Sequence, residues 1–158
     1  MENPPVSIAL EKLGVPHQVF RHDAARLVTS IEQAASDRGQ RASQVVRSIL
    51  FRIAEDEFIM VLVAGPAQIS WKILRKHLGR SRISMATEDE VFAVTGYRVG
   101  TVSPFGLPHQ LKVLIDPSVL GEEEISIGSG IRNTAIILKS ADLHHALKDA
   151  DVVSLTQN

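Results

Sequence analysis

An α+β domain, with a mixed and curved β-sheet packed by several short helices, is the fold class that this sequence predicts. Three observations carry the expectation. Amphipathic helical runs and β-rich runs interleave irregularly instead of alternating one to one. The strongest β signal is a hairpin, Val45 to Ala54 and Phe58 to Val63, folded about the charged turn Glu55-Asp56-Glu57. A length of 158 residues with 44% hydrophobic side chains supplies one core and little more, so a single domain over 1–158 is expected.

The elements follow in order. Asn3 before Pro4 and Pro5 reads as an N-cap with proline in the first turn, and Val6, Ala9, Leu10 and Leu13 share one helical face up to Gly14. Val15 to His22 reads as extended. A second helix starts at Thr29 or Ser30, where Glu32 and Gln33 complete capping boxes and Ala34 and Ala35 face the core. After the hairpin, Ser70 caps a helix carrying Trp71, Leu74 and Leu78 at helical spacing and ending at Gly79. A brief strand at Ile83 to Met85 leads to the capping-box pattern Thr87-Glu88-Asp89-Glu90, which opens a helix bearing Val91, Phe92 and Val94. Leu111 to Ile115, Glu124 to Ile127 and Thr134 to Leu138 read as strands, and Ser140 caps a last helix with Leu143 and Leu147.

Composition removes several function classes. The chain has no cysteine, which excludes disulfides, a thiol nucleophile and thiolate metal sites. No apolar run approaches the ~20 residues of a membrane span, and the amino terminus lacks a secretory pattern, so a cytoplasmic protein with no membrane partner is expected. A net charge of −1 gives no overall attraction to nucleic acid. Any RNA contact must come from a local patch, and DNA is not an expected partner. The cluster Lys72, Arg75, Lys76, Arg80 and Arg82 is the candidate, with Lys72, Arg75 and Lys76 as the tRNA-binding residues; a solvated helix face reads equally from the same residues. Aromatic residues make up only 4%, too few for a base-stacking sheet.

Two small-residue loops offer bare backbone to a ligand. Thr95-Gly96-Tyr97-Arg98-Val99-Gly100-Thr101-Val102-Ser103-Pro104-Phe105-Gly106 crowds three glycines, a serine and a proline between apolar runs, and Gly128-Ser129-Gly130 forms a second tight loop. Each also fits a plain turn between strands. Neither matches a dinucleotide fingerprint or a phosphate loop, so no nucleotide cofactor is expected. The six histidines show no metal-ligand spacing: His144 and His145 point about 100° apart on a helix, and no metal is expected. His22-Asp23 lies where it could orient a polar group. Ser103 is not in a nucleophile elbow, which leaves hydrogen bonding as its role. Arg47 sits early in the apolar run Val45 to Phe51, where a guanidinium must leave the core or meet an acceptor, such as a carbonyl or phosphate oxygen.

The ordered set of Phe20-Arg21-His22-Asp23, Gln44-Val45-Val46-Arg47-Ser48-Ile49-Leu50-Phe51, the TGYRVGTVSPFG loop, Gly128-Ser129-Gly130 and Ser140-Ala141-Asp142-Leu143 resembles the YbaK/prolyl-tRNA-synthetase-associated domain family. The resemblance covers nearly the whole chain. It implies hydrolysis of the ester of mischarged tRNA in trans, with no cofactor, by a pocket of backbone and small side chains that leans on substrate groups and bound water. Mischarged tRNA is then the partner, with an aminoacyl-tRNA synthetase as a further one. The implied catalytic residue is Arg47, and the implied substrate-binding residues are Phe20, His22, Gly100, Ser103, Pro104, Gly106, Gly128, Ser129 and Gly130. Arg47 stands where the best-known members carry lysine: the cation is kept, and a general base is lost. A non-catalytic tRNA-binding or synthetase-associated module and a small-molecule-binding protein are the alternatives.

Overall fold

The computed structural model describes residues 3–25 and 28–156. Helix α1 (Pro5–Leu13) has Pro4 at its N-cap, one residue later than the sequence predicts, and ends on left-handed Gly14. Strand β1 (Gln18–Arg21) precedes α2 (Ile31–Asp37), whose cap Ser30 accepts from the Gln33 amide as expected. Strands β2 (Val46–Ala54) and β3 (Glu57–Ala64) form the predicted hairpin, with Asp56 at φ 56° in its turn. Helix α3 (Trp71–Leu78), strand β4 (Ser84–Met85) and helix α4 (Glu88–Thr95) follow, with Thr87 and Glu90 closing the capping box. Strands β5 (Lys112–Ile115), β6 (Glu124–Gly128) and β7 (Thr134–Lys139), helix α5 (Ser140–Ala146) and strand β8 (Asp151–Val152) complete the order. Ser140 opens α5 from inside the helix, and its hydroxyl donates to the Glu122 carbonyl at 2.6 Å instead of capping.

The expected mixed sheet is divided in two. A five-stranded sheet runs β4-β2-β3-β5-β8, antiparallel around β2 and parallel from β3 to β8, and a three-stranded antiparallel sheet runs β1-β7-β6. A parallel bridge between Val45 and Ser126 joins them.

Why β2 and β3 read as almost continuous apolar runs follows from their place. Both faces of the large sheet are covered, so both residue parities are apolar. Val46, Leu50, Met60 and Leu62 pack with Ile125, Ile127, Ile136 and Leu138 of the small sheet and with Val6 and Leu10 of α1. Phe51, Ile53, Ile59 and Val61 face the other way, under Leu74 of α3. The connection from β3 to β5 supplies α3 on one face and Val91, Tyr97, Val102 and Phe105 on the other. The glycine-rich loop is thereby laid across the core between the sheets.

Candidate active site

A pocket of about 290 Å³ lies at the seam between the sheets. Its walls are the start of β2 (Val45, Val46, Arg47, Ser48), the end of β6 (Ile127, Gly128), Thr134, the loop residues Gly100 and Val102, and Arg38 just beyond α2. Arg47 and Ser48 are consecutive in a strand, so their side chains leave opposite faces. Arg47 turns its guanidinium onto backbone: Nε donates to the Gly65 carbonyl at 3.0 Å and Nη2 to that of Ala67. Burial pulls its pKa below the ordinary value, yet a guanidinium stays cationic at neutral pH. The Ser48 hydroxyl is buried and has no hydrogen-bond partner among the described residues. A buried hydroxyl left unpaired costs about 1–3 kcal/mol, so Ser48 is poised to hydrogen-bond something that enters.

Arg38 is held by a buried network. Its Nε donates to His22 Nε2 at 3.1 Å and its Nη1 to the Ser126 hydroxyl at 2.8 Å. Arginine only donates, so His22 Nε2 carries the lone pair and Nδ1 carries the proton, facing an Asp37 carboxylate oxygen at 3.5 Å. That contact is long for a hydrogen bond and is better described as an ion–dipole approach. Burial and the Arg38 charge lower the His22 pKa against the opposing pull of Asp37, which keeps the ring neutral. Burial likewise brings Arg38 down to about 10, with Asp37 opposing.

Two loops build the remaining wall from main chain. A Cβ on Gly128 would lie 2.6 Å from the Thr101 carbonyl oxygen, and closer still to that of Val102, so only glycine lets these backbones touch. Gly100, at φ 92°, has open space where a Cβ would stand. Neither the Gly100 nor the Val102 amide donates to another described residue, whereas the intervening Thr101 amide is engaged by the Arg98 carbonyl at 3.0 Å.

Of the residues expected from sequence, the pocket brings together Arg47, Gly100 and Gly128. His22 stands behind it, with Phe20 edge-on to its ring at 4.9 Å. The others lie elsewhere. Ser103 is 0% exposed and accepts from the Phe105 amide at 3.2 Å. Ser129 is bound to Ile131 and Thr134, and Gly130 packs its α-carbon side against Tyr97 and Pro5. Pro104 and Gly106 line a larger open groove of about 730 Å³ with Leu13, Leu107, Leu111 and Leu147. We take the smaller hollow as the site because it gathers the Arg38 guanidinium, an unpaired buried hydroxyl and bare amides, whereas the groove is wide open and joins leucines with the solvated side chains of Lys112, Lys148 and Asp149. Lys72, Arg75 and Lys76 sit on α3, line neither hollow, and are flanked by Arg80, which pairs with Glu57 at 3.1 Å.

Sequence reasoning missed Arg38, Ser48 and Thr134. Arg38 lies outside the motifs, six residues before Gln44, with nothing local to mark it, but the consecutive polar pair Arg47-Ser48 inside an apolar strand was a readable signal of polar chemistry on both faces.

No cluster of histidine and carboxylate groups able to hold a metal occurs among the described residues. No helix among them is long and apolar enough to cross a membrane.

Similarity to known proteins agrees with this architecture. The family model described as aminoacyl-tRNA editing domain matches residues 25–146. The chain is 35% identical over 114 residues to the uncharacterised protein YwhH of Bacillus subtilis, covering 72% of each. It is 27% identical over 137 residues to the multifunctional Ser/Thr-tRNA deacylase ProXp-y of Escherichia coli, covering 84% of this chain and 80% of that one. A crystal structure of a proposed trans-editing enzyme for prolyl-tRNA synthetase superposes with a TM-score of 0.87 at 26% identity, over 98% of this chain and 96% of that one. With the family model matching most of its length and the fold shared from end to end, this chain belongs to the aminoacyl-tRNA editing domain family.

Proposed function

We propose that this protein is an aminoacyl-tRNA deacylase that hydrolyses the ester of mischarged tRNA in trans, in the cytoplasm where translation supplies that substrate. The observation that carries the reading is the meeting of Arg38 and the unpaired Ser48 hydroxyl in one small pocket with bare amides at Gly100 and Val102, while Arg47 lines the same stretch of β2 and turns its cation to the strand's other face. Hydrolysis adds water to the ester carbonyl carbon and breaks its bond to the ribose oxygen, which leaves with a proton. Charge develops on the carbonyl oxygen, and the Arg38 guanidinium and the Gly100 and Val102 amides are the groups able to stabilise it, at about 3 kcal/mol per well-placed donor, with the Arg47 cation acting from the other face of β2. Among the described residues, none that lines the pocket is a carboxylate or histidine, and the Arg38 bond occupies the ring lone pair of His22. Proton transfer therefore falls to bound water and the substrate's own hydroxyl. Lys72, Arg75 and Lys76 are assigned to phosphate contacts farther along the tRNA.

A panel of differently mischarged tRNAs, each followed by release of free amino acid, tests the reading. Hydrolysis of at least one, above the protein-free rate, is expected. Tight tRNA binding without hydrolysis of any would leave a binding module instead.

A further inference from the structure

Phe92 of α4 and Arg98 of the loop that follows it form an exposed stack. The Arg98 guanidinium carbon lies 3.8 Å from the Phe92 ring centroid, and Phe92 remains 43% exposed although Val91, its neighbour, is buried. The turn from Arg98 to Thr101 is closed twice, by the Thr101 amide at 3.0 Å and the Thr101 hydroxyl at 2.7 Å on the Arg98 carbonyl. Such a turn keeps its first and last α-carbons within about 7 Å. Gly100 and Val102, which bracket Thr101, line the pocket. The backbone of Arg98 therefore stands next to the pocket rim, with half-exposed Val99 between it and Gly100, and carries the stack on the outside of that turn.

Size divides the substrate. At about 290 Å³ the pocket is at the small end of ligand sites and suits an aminoacyl group, not that group together with a nucleoside. The terminal nucleoside must rest outside, against the rim. An aromatic ring with an arginine plane is the surface on which unpaired bases stack. Glu88 and Asp89, one turn earlier on α4, repel a phosphate, so the surface suits a base and not the backbone.

We propose that the Arg98–Phe92 stack is the platform for the 3′-terminal nucleobase of the tRNA acceptor end while the aminoacyl group occupies the pocket. The proposal rests on reading that pocket as the deacylase site. Its test replaces the terminal adenine of uncharged tRNA with 2-aminopurine, whose fluorescence is quenched on stacking, and measures KM with a mischarged tRNA. Quenching by the wild-type protein is expected, with loss of quenching and a roughly tenfold rise in KM for Phe92→Ala, and recovery of both in Phe92→Tyr. Equal quenching and equal KM in Phe92→Ala and wild type would overturn it. Quenching without hydrolysis of any mischarged tRNA would sink the deacylase reading and leave the platform. Hydrolysis without quenching would do the reverse.

Discussion

Arg47 illustrates how one side chain serves wall and charge together. Its two backbone acceptors, Gly65 and Ala67, lie on the segment that leads from β3 to α3, so truncation frees that segment as well as deleting the cation. Arg47→Ala is expected to lower kcat/KM for deacylation by about 10²–10³, and Arg47→Lys to recover part of it, because lysine restores the charge without the fork. Single-turnover rates with matched thermal melts check this; equal rates in Arg47→Ala and wild type would remove the residue from the mechanism. The glycines separate in the same way. Gly130→Ala places a Cβ 2.9 Å from a Tyr97 ring carbon and 3.2 Å from Pro5 at φ 93°, so it should destabilise by more than about 1 kcal/mol and depress all substrates alike. At Gly100 the backbone, at φ 92°, also strains alanine, but the added methyl meets open space at the pocket, so beyond any loss of stability alanine should discriminate against the bulkier aminoacyl group more than the smaller. Hydrolysis of a large and a small mischarged amino acid by both variants distinguishes the two behaviours.

At the scale of elements, α3 is tied to the pocket by Leu74 packed on β2 and β3 and by the segment that Arg47 grips. A double reversal, Lys72→Glu with Lys76→Glu, should weaken tRNA binding and shrink its salt slope by roughly one for each phosphate that the helix no longer neutralises. Filter binding across a salt series measures it, and an unchanged slope would move the RNA surface elsewhere. Secondary structure was legible where local rules act alone: the hairpin turn, the Ser30 and Ser70 caps, the Thr87 capping box and the glycine helix stops all stand as the sequence implied. The Ser140 cap was misread because a carbonyl 18 residues earlier in the chain, that of Glu122, offered its hydroxyl a nearer acceptor. The division into two sheets was not legible either, since it depends on which strand edges meet. The site shows the same limit. Arg47, Gly100 and Gly128 carry local signals, an arginine in an apolar strand and glycines in tight loops. Arg38 reaches the pocket only through His22 and Ser126, partners 16 and 88 residues away, and no local pattern encodes that.

For the molecule as a whole, the buried His22 network links acidity to stability, because it ties the end of β1 to α2 and β6. The folded-state pKa of His22 is below its ordinary 6.5, so the unfolded chain takes up the proton first. Its contribution is fully present above about pH 6.5 and is lost as pH falls from there through the lower folded value. Melting temperature should therefore drop between about pH 7 and pH 5, and the His22→Gln variant should show a flatter profile over that window. Parallel profiles for the two proteins would relieve His22 of this role.

The bridge between Val45 and Ser126 has a mechanical meaning for the molecule. β2 and β3 are laced together from Val46 to Ala54, whereas the two sheets share that bridge and a packed apolar core, with the pocket at their seam walled by both. A substrate touching Ser48 on one side and Gly128 on the other acts as a clasp. Its binding energy becomes cohesion between the two halves by mass action, and release of the cleaved amino acid unfastens them.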